Sequence, residues 1–128
     1  MLKIGEDSGW ITEFYEYIQD GSAKEAFALL IGTFICLKEV SCGRKPQGDV
    51  LSVGLEVDGE RWFAIMPTRK SLTFQWRPPV TRTKRYSQDH LRAQFPKSFT
   101  DTAQAEHWSV KITSIEEGLL LLLILDLK

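Results

Sequence analysis

A chain of 128 residues, 43% hydrophobic and 26% charged, with nine Gly and five Pro, has the composition of one globular domain and excludes a disordered tail or a collagen-like fibre. Two Cys cannot make a disulfide scaffold, and the opening Met1-Leu2-Lys3-Ile4-Gly5-Glu6-Asp7 lacks the basic-then-apolar layout of a secretion signal, so the expectation is a cytoplasmic protein in a reducing compartment. The net charge of −1 hides a polarisation: Arg61 to Lys97 holds nine bases and one acid, a net +8, and the remainder holds seven bases and sixteen acids, a net −9. Either this window pairs with acidic helices across the fold or it offers a surface to a polyanion.

Along the chain, Asp7 and Ser8 are candidate N-caps before Trp10, Ile11, Phe14, Tyr17 and Ile18, one apolar stripe that predicts a first helix over roughly 8–19. Asp20-Gly21 breaks it, and Ser22 with Glu25 reads as a capping box opening a second, antiparallel helix through Phe27, Leu30, Ile31, Phe34 and Ile35. Ser41 to Asp49, with Gly, Pro and three charges and no apolar period, reads as a loop. From Val50 the period changes to two: Leu51, Val53, Leu55 and Val57 make a strand, Asp58-Gly59 a type I′ turn, and Arg61 to Met66 its antiparallel partner.

Pro67 to Lys70 supplies the next turn, and Leu72, Phe74 and Trp76 a third strand ended by Pro78-Pro79. Ser87 caps a short helix over Gln88 to Phe95, and Trp108, Val110 and Ile112 alternate with polar residues in a fourth strand. Ser114 with Glu117 opens a last helix over Ile115 to Leu127; its run Leu119 to Leu125 is all apolar, and since Ile124 is the run's one β-branched residue, helix is favoured over strand. Such a helix requires cover on all sides, by the sheet on one face and by the first two helices or a partner subunit on the other, which makes it a candidate homodimer surface. Seven residues fall well short of the roughly 20 that span a bilayer, so no membrane partner is expected. The reading is α+β in one domain, 1–128: a helical half over 1–49, then a three-stranded antiparallel meander, a short helix, a fourth strand and an apolar C-terminal helix.

Asp58-Gly59-Glu60-Arg61-Trp62-Phe63-Ala64-Ile65, the alternating strand after it, Glu106-His107-Trp108-Ser109-Val110-Lys111-Ile112 and the capped last helix together resemble the YjbR-type small α+β domains, and are similar to a group of domains described as predicted transport proteins. The resemblance covers roughly 50–128 and rests on the aromatic-Ala pair Phe63-Ala64 and on His107-Trp108 opening the last strand. The family's final Ser-Tyr pair is not in 119–128, and residues 1–49 lie outside the resemblance. It implies a double-wing sheet with helices and a DNA-binding role.

Catalytic signatures are missing from the sequence. His90 and His107 do not stand at metal-ligand spacing from Cys36 or Cys42, and Gly-rich phosphate loops, G-x-S-x-G and H-E-x-x-H do not occur. Cys36 reads as a small hydrophobe on the second helix and Cys42 as a thiol at its end. Asp49, Glu56 and Asp58 suggest a nuclease-like carboxylate set, but Asp58 is explained by the turn and Glu56 by the polar side of its strand. No catalytic residue, metal or cofactor is assigned. Trp10, Phe14, Phe27, Phe34, Phe74, Trp76 and Trp108 fall on expected inner faces. On the strand Arg61–Met66, Trp62, Ala64 and Met66 alternate with Phe63 and Ile65, so both faces are apolar, and the strand is either central with cover on both faces or part of a partner surface.

These readings converge on a non-enzymatic binding domain that contacts a polyanion, nucleic acid first among them, through the window 61–97. Arg69 and Lys70 sit at a hairpin tip; Arg77, Arg82, Lys84 and Arg85 lie in or beside a Pro-to-Ser connection from which long side chains reach phosphates. His107 and Phe63 form a second tier. The alternative is a protein-interaction module, immunity-protein-like or secretion-chaperone-like, that recognises a partner through the apolar last helix and the sheet face.

Overall fold

The computed structural model describes residues 9–47, 50–102 and 107–127. In chain order these form α1 (Gly9–Tyr17), α2 (Gly21–Ile35), β1 (Val40–Gln47), β2 (Val50–Val57), β3 (Glu60–Pro67), β4 (Leu72–Trp76), a 3-10 turn (Val80–Arg82), α3 (Gln88–Gln94), β5 (Thr100–Thr102), β6 (His107–Ile112) and α4 (Ile115–Leu125). The strands make one antiparallel six-stranded sheet in the order β1-β2-β3-β4-β6-β5. The α+β class is as expected, but the sheet has an extra strand at each edge.

The segment expected as a loop from Ser41 is strand β1, whose residues Val40 to Gln47 pair in register with Val57 to Val50. The sheet therefore begins at Val40, ten residues before the expected boundary. Gly43, Arg44, Lys45 and Pro46 are poor strand formers in isolation, yet they suit an edge strand, where Pro costs no ladder bond and charge discourages pairing with another chain. Asp49 of the carboxylate set and the candidate caps Asp7 and Ser8 lie outside the described residues. β5, three residues at the opposite edge, is too short to show a period of its own.

Local chemistry sets the element ends. Asp20, and not Ser22, caps α2: its Oδ2 accepts from the Ala23 N–H at 2.9 Å, because a helix entered two residues earlier than expected puts the carboxylate at the cap. Asp58 (φ 54°) and Gly59 (φ 81°) both take the positive φ that a type I′ hairpin turn requires. Thr68 organises the β3–β4 turn, its Oγ1 accepting from the Ser71 N–H at 3.0 Å. Ser87 caps α3 by accepting from the His90 N–H. Ser114 caps α4 by accepting from the Glu117 N–H at 3.2 Å, but Glu117 reaches back to Thr113, whose N–H (2.8 Å) and hydroxyl (2.6 Å) both donate to Oε1. The capping box thus closes one residue earlier than expected.

Cross-strand register puts the largest side chains on one face. Phe63 is opposite Trp76, Ile65 opposite Phe74, Phe74 opposite Val110 and Trp76 opposite Trp108, and all are buried. Phe74 lies 5.4 Å from Phe63 and 5.0 Å from Trp76, centroid to centroid. Phe34 of α2 stacks on Phe74 at 6.5 Å, Tyr86 packs edge-on against Phe63 and Trp76, and Phe14 of α1 meets Phe27 of α2 at 6.3 Å. Tyr17, expected on the buried stripe of α1, is instead half exposed.

Between β2 and β3 the register slips at Leu55/Glu56, so that Glu56 faces Arg61 while Leu55 faces Phe63. This bulge inserts Trp62 and breaks the expected alternation. Trp62 shares a cleft with Val40, Val57 and Leu127 on the helix side, next to Phe63 and not across the sheet from it. β3 is therefore central; the bulge moves Trp62 to the helix side, while Ala64 and Met66 stay on the face they share with Gln75 and Thr73.

α4 packs on α2 at Gly118, where a Cβ would meet Leu29 Cδ2 at 3.4 Å, with Leu121 and Leu125 buried. Leu119 and Leu123 are 48% and 78% exposed. The expected cover on all sides is thus present on one side only. Among the described residues no helix is long and apolar enough to cross a membrane.

Two outcomes follow from this packing. Deleting residues 119–128 uncovers α2 and removes Leu121 and Leu125, each contributing about 1.5–3 kcal/mol by burial; thermal melting of the truncated protein is expected to lose its cooperative transition. Asp20→Ala is expected to cost about 0.5–2 kcal/mol through the lost cap, measured by urea unfolding, with Ser22→Ala near neutral.

Candidate polyanion interface

Successive strand residues point to opposite faces and registered partners share one, so the side of the sheet away from Phe63, Phe74 and Trp76 can be read residue by residue. β4 presents Thr73, Gln75 and, just past its end, Arg77; β6 presents His107, Ser109 and Lys111. None of these six is buried. This face is polar where its reverse is aromatic.

At one end of it three cationic or titratable side chains converge. Arg77 follows Trp76, and its N–H donates to the Trp62 carbonyl at 2.9 Å, which fixes it beside the bulge. Arg61, the other residue at the bulge, and His107, one step beyond the Trp76/Trp108 pair, flank it on β3 and β6. Burial and then the Arg61 charge push the Arg77 pKa down, and burial and then the Arg77 charge push that of His107 down. Like charges thus crowd at this end. Among the described residues Arg77 has no carboxylate partner.

The six primary candidates do not share one place. Arg69 and Lys70 sit at the β3–β4 turn, at the opposite end of the strands from Arg77, where the Arg69 carbonyl accepts from the Gln19 and Asp20 N–H groups and its guanidinium lies 5.9 Å from the Tyr17 ring centre. Arg82 and Lys84 are exposed in the connection after the cis Pro78-Pro79 bond. Arg85 lies over Trp62 (5.4 Å) and Tyr86 (5.6 Å), its Nε–H donates to the Tyr86 hydroxyl at 3.1 Å, and Nη2 donates to the Asp126 carbonyl at 3.4 Å. The Tyr86 hydroxyl in turn donates to the Leu125 carbonyl at 2.8 Å. Arg85 thus closes the C-terminal end of α4, where a cation complements the helix dipole.

Phe63, a second-tier candidate, is fully buried in the aromatic core and presents nothing to a ligand. His107, the other, belongs to the Arg77 cluster. Arg61 was within the basic window but was not singled out; only the β2–β3 register, with its bulge, brings it to Arg77. Arg92 pairs with Asp89 of its own helix and with Asp101 of β5.

Other chemistries find little support in the geometry. Cys42 is in β1 and not in a loop; burial pushes its thiol pKa up to about 12, the opposite of an activated nucleophile. Cys36 is exposed at the C-cap of α2. Among the described residues no three His, Cys, Asp or Glu side chains gather as a metal site would require. Compared with family models, curated proteins and solved structures, the chain matches none.

Two measurements test this geometry. Arg85→Ser is expected to cost about 1 kcal/mol, through lost cation–π contact and helix-end hydrogen bonds, whereas Lys84→Ser stays within about half a kcal/mol; melting temperatures separate them. His107 has a folded pKa below its ordinary 6.5, so its contribution to stability is complete above that value and is lost as pH falls towards the lowered one. His107→Gln is expected to reduce the acid-side fall in melting temperature.

Proposed function

We propose that the protein is a non-enzymatic binding domain for a polyanion, nucleic acid in the first place, and that it binds through the end of the sheet where Arg61, Arg77 and His107 meet. The observation that carries this reading is the like-charge crowding itself. Arg61 and Arg77 are held close together on a half-exposed face, with Glu56 opposite Arg61 in the ladder and no described carboxylate on Arg77, which leaves positive charge there for a ligand's negative charge to offset. Arg82 and Lys84 are exposed in the connection that follows Arg77. The resemblance of residues 50–128 to YjbR-type domains points the same way.

The aromatic residues refine the reading. Trp76, Phe74, Phe63 and Trp108 are all in the core, which leaves no aromatic platform for stacked bases on the polar face. Affinity then comes from phosphates, is weak, about 10⁻⁴–10⁻⁶ M, and falls steeply with salt. Fluorescence anisotropy with labelled oligonucleotides is expected to show such binding, with Arg61→Ser/Arg77→Ser weakening it at an unchanged or raised melting temperature. Absence of binding at low salt contradicts the proposal.

A second reading, a protein-interaction module, is favoured by the exposure of Leu119 and Leu123 on the outer side of α4. A second copy of the chain is the simplest occupant. On this reading sedimentation velocity shows a concentration-dependent dimer that Leu119→Lys/Leu123→Lys abolishes.

A further inference from the structure

The polar face continues from the Arg77 end into a groove of about 290 Å³ lined by Thr73, Lys97, Ser98, Thr100, Ser109 and Lys111, together with Val110. We infer that this groove is a second phosphate subsite, and that a single nucleic-acid strand lies along β6 with its backbone held at the Arg61–Arg77–His107 end and again between Lys97 and Lys111. This rests on the polyanion reading and adds to it a place, a direction and a strand type.

The donor inventory of the groove is that of an anion site. Lys97 and Lys111 supply two exposed ammonium groups. Ser98 Oγ accepts from the Lys111 N–H at 3.2 Å, which leaves its own O–H to donate. Thr100 Oγ1 and Ser109 Oγ are 2.7 Å apart, so one hydroxyl donates to the other and the second O–H of the pair points elsewhere. Among the described residues no carboxylate lines the groove, which disfavours a metal ion or a cationic ligand, and no aromatic side chain there offers a sugar or a base a platform. Hydroxyls and ammonium groups without acids are matched by phosphate oxygens.

Spacing connects the two ends. His107, Ser109 and Lys111 lie on one face of β6, and the four-residue step from His107 to Lys111 spans about 13 Å. Phosphates follow one another every about 3.4 Å along one strand of a duplex axis, so the track accommodates several in succession. Reading a duplex groove takes a protruding helix or two-stranded ribbon, and β4 and β6 offer neither on this face. A shallow groove between strands admits one chain.

The test compares Lys97→Ser/Lys111→Ser with Arg61→Ser/Arg77→Ser and the unmodified protein, by anisotropy with a labelled oligothymidylate and with a duplex of equal length over a range of salt. The subsite predicts that the double lysine variant keeps its melting temperature, binds the single strand several-fold more weakly, and loses about 1.4 from the slope of log affinity against log salt for two phosphate contacts. Unchanged affinity and slope in the lysine variant, with weakened binding in the arginine variant, overturns the subsite and leaves the polyanion reading intact. Preference for the duplex overturns the single-strand assignment. Failure of the unmodified protein to bind either oligonucleotide overturns the polyanion reading and the subsite with it. Charge reversal, Lys97→Glu/Lys111→Glu, gives the same order of effects with a larger loss.

Discussion

The fold depends on a single aromatic cluster in which Phe63, Phe74, Trp76 and Tyr86 lie edge to face beneath Phe34 of α2. Aromatic pairs of this geometry add about 0.5–1.5 kcal/mol each to the burial of their area. The cluster spans β3, β4, α2 and the connection leading to α3, so elements far apart in sequence share one interior. Satisfying it requires every large ring of the central strands to be on the same side. The bulge at Trp62 achieves this on β3, and Arg85 over Trp62 and Tyr86 then ties the end of α4 to the same corner.

Sealing one face in this way determines the character of the other. Strand alternation leaves Thr73, Gln75, Arg77, His107, Ser109 and Lys111 opposite the core, none of them buried. The bulge that turns Trp62 inward also sets Arg61 beside Arg77. One irregularity in the sheet thus serves both packing and charge: it completes the aromatic interior and gathers cations at the end of the polar face. Arg85, by contrast, has its charge engaged in packing, and its place in the connection gave no indication of this.

Legibility in the sequence followed the range of the forces involved. The Asp58-Gly59 hairpin, the caps at Ser87 and Ser114 and the alternation of Leu72, Phe74 and Trp76 depend on neighbours a few residues away, and each could be read from the chain. β1 could not, because Gly43 and Pro46 oppose strand formation locally and the ladder with β2 outweighs them. The cap of α2 was misplaced by two residues since Asp20 and Ser22 are both competent and only the direction of the incoming chain chooses between them. The cationic cluster was legible as composition but not as a site: Arg77 and His107 are brought together by the pairing of β4 with β6 across thirty residues of intervening chain, and Arg61 by the bulge. The apolar run of α4 was read correctly as helix, yet its exposed outer side depends on where α2 ends and what lies beyond it, which periodicity does not encode.

The central claim is that the face opposite the aromatic cluster is the binding face. Amide chemical-shift mapping of the isotopically labelled protein, titrated with a single-stranded oligonucleotide at low salt, addresses it directly. The account predicts that the amides of Arg61, Arg77, His107, Ser109 and Lys111 shift together, while those of α2 and α4 remain in place. Shifts confined to the Arg69–Lys70 turn, or to Leu119 and Leu123 on α4, would contradict it.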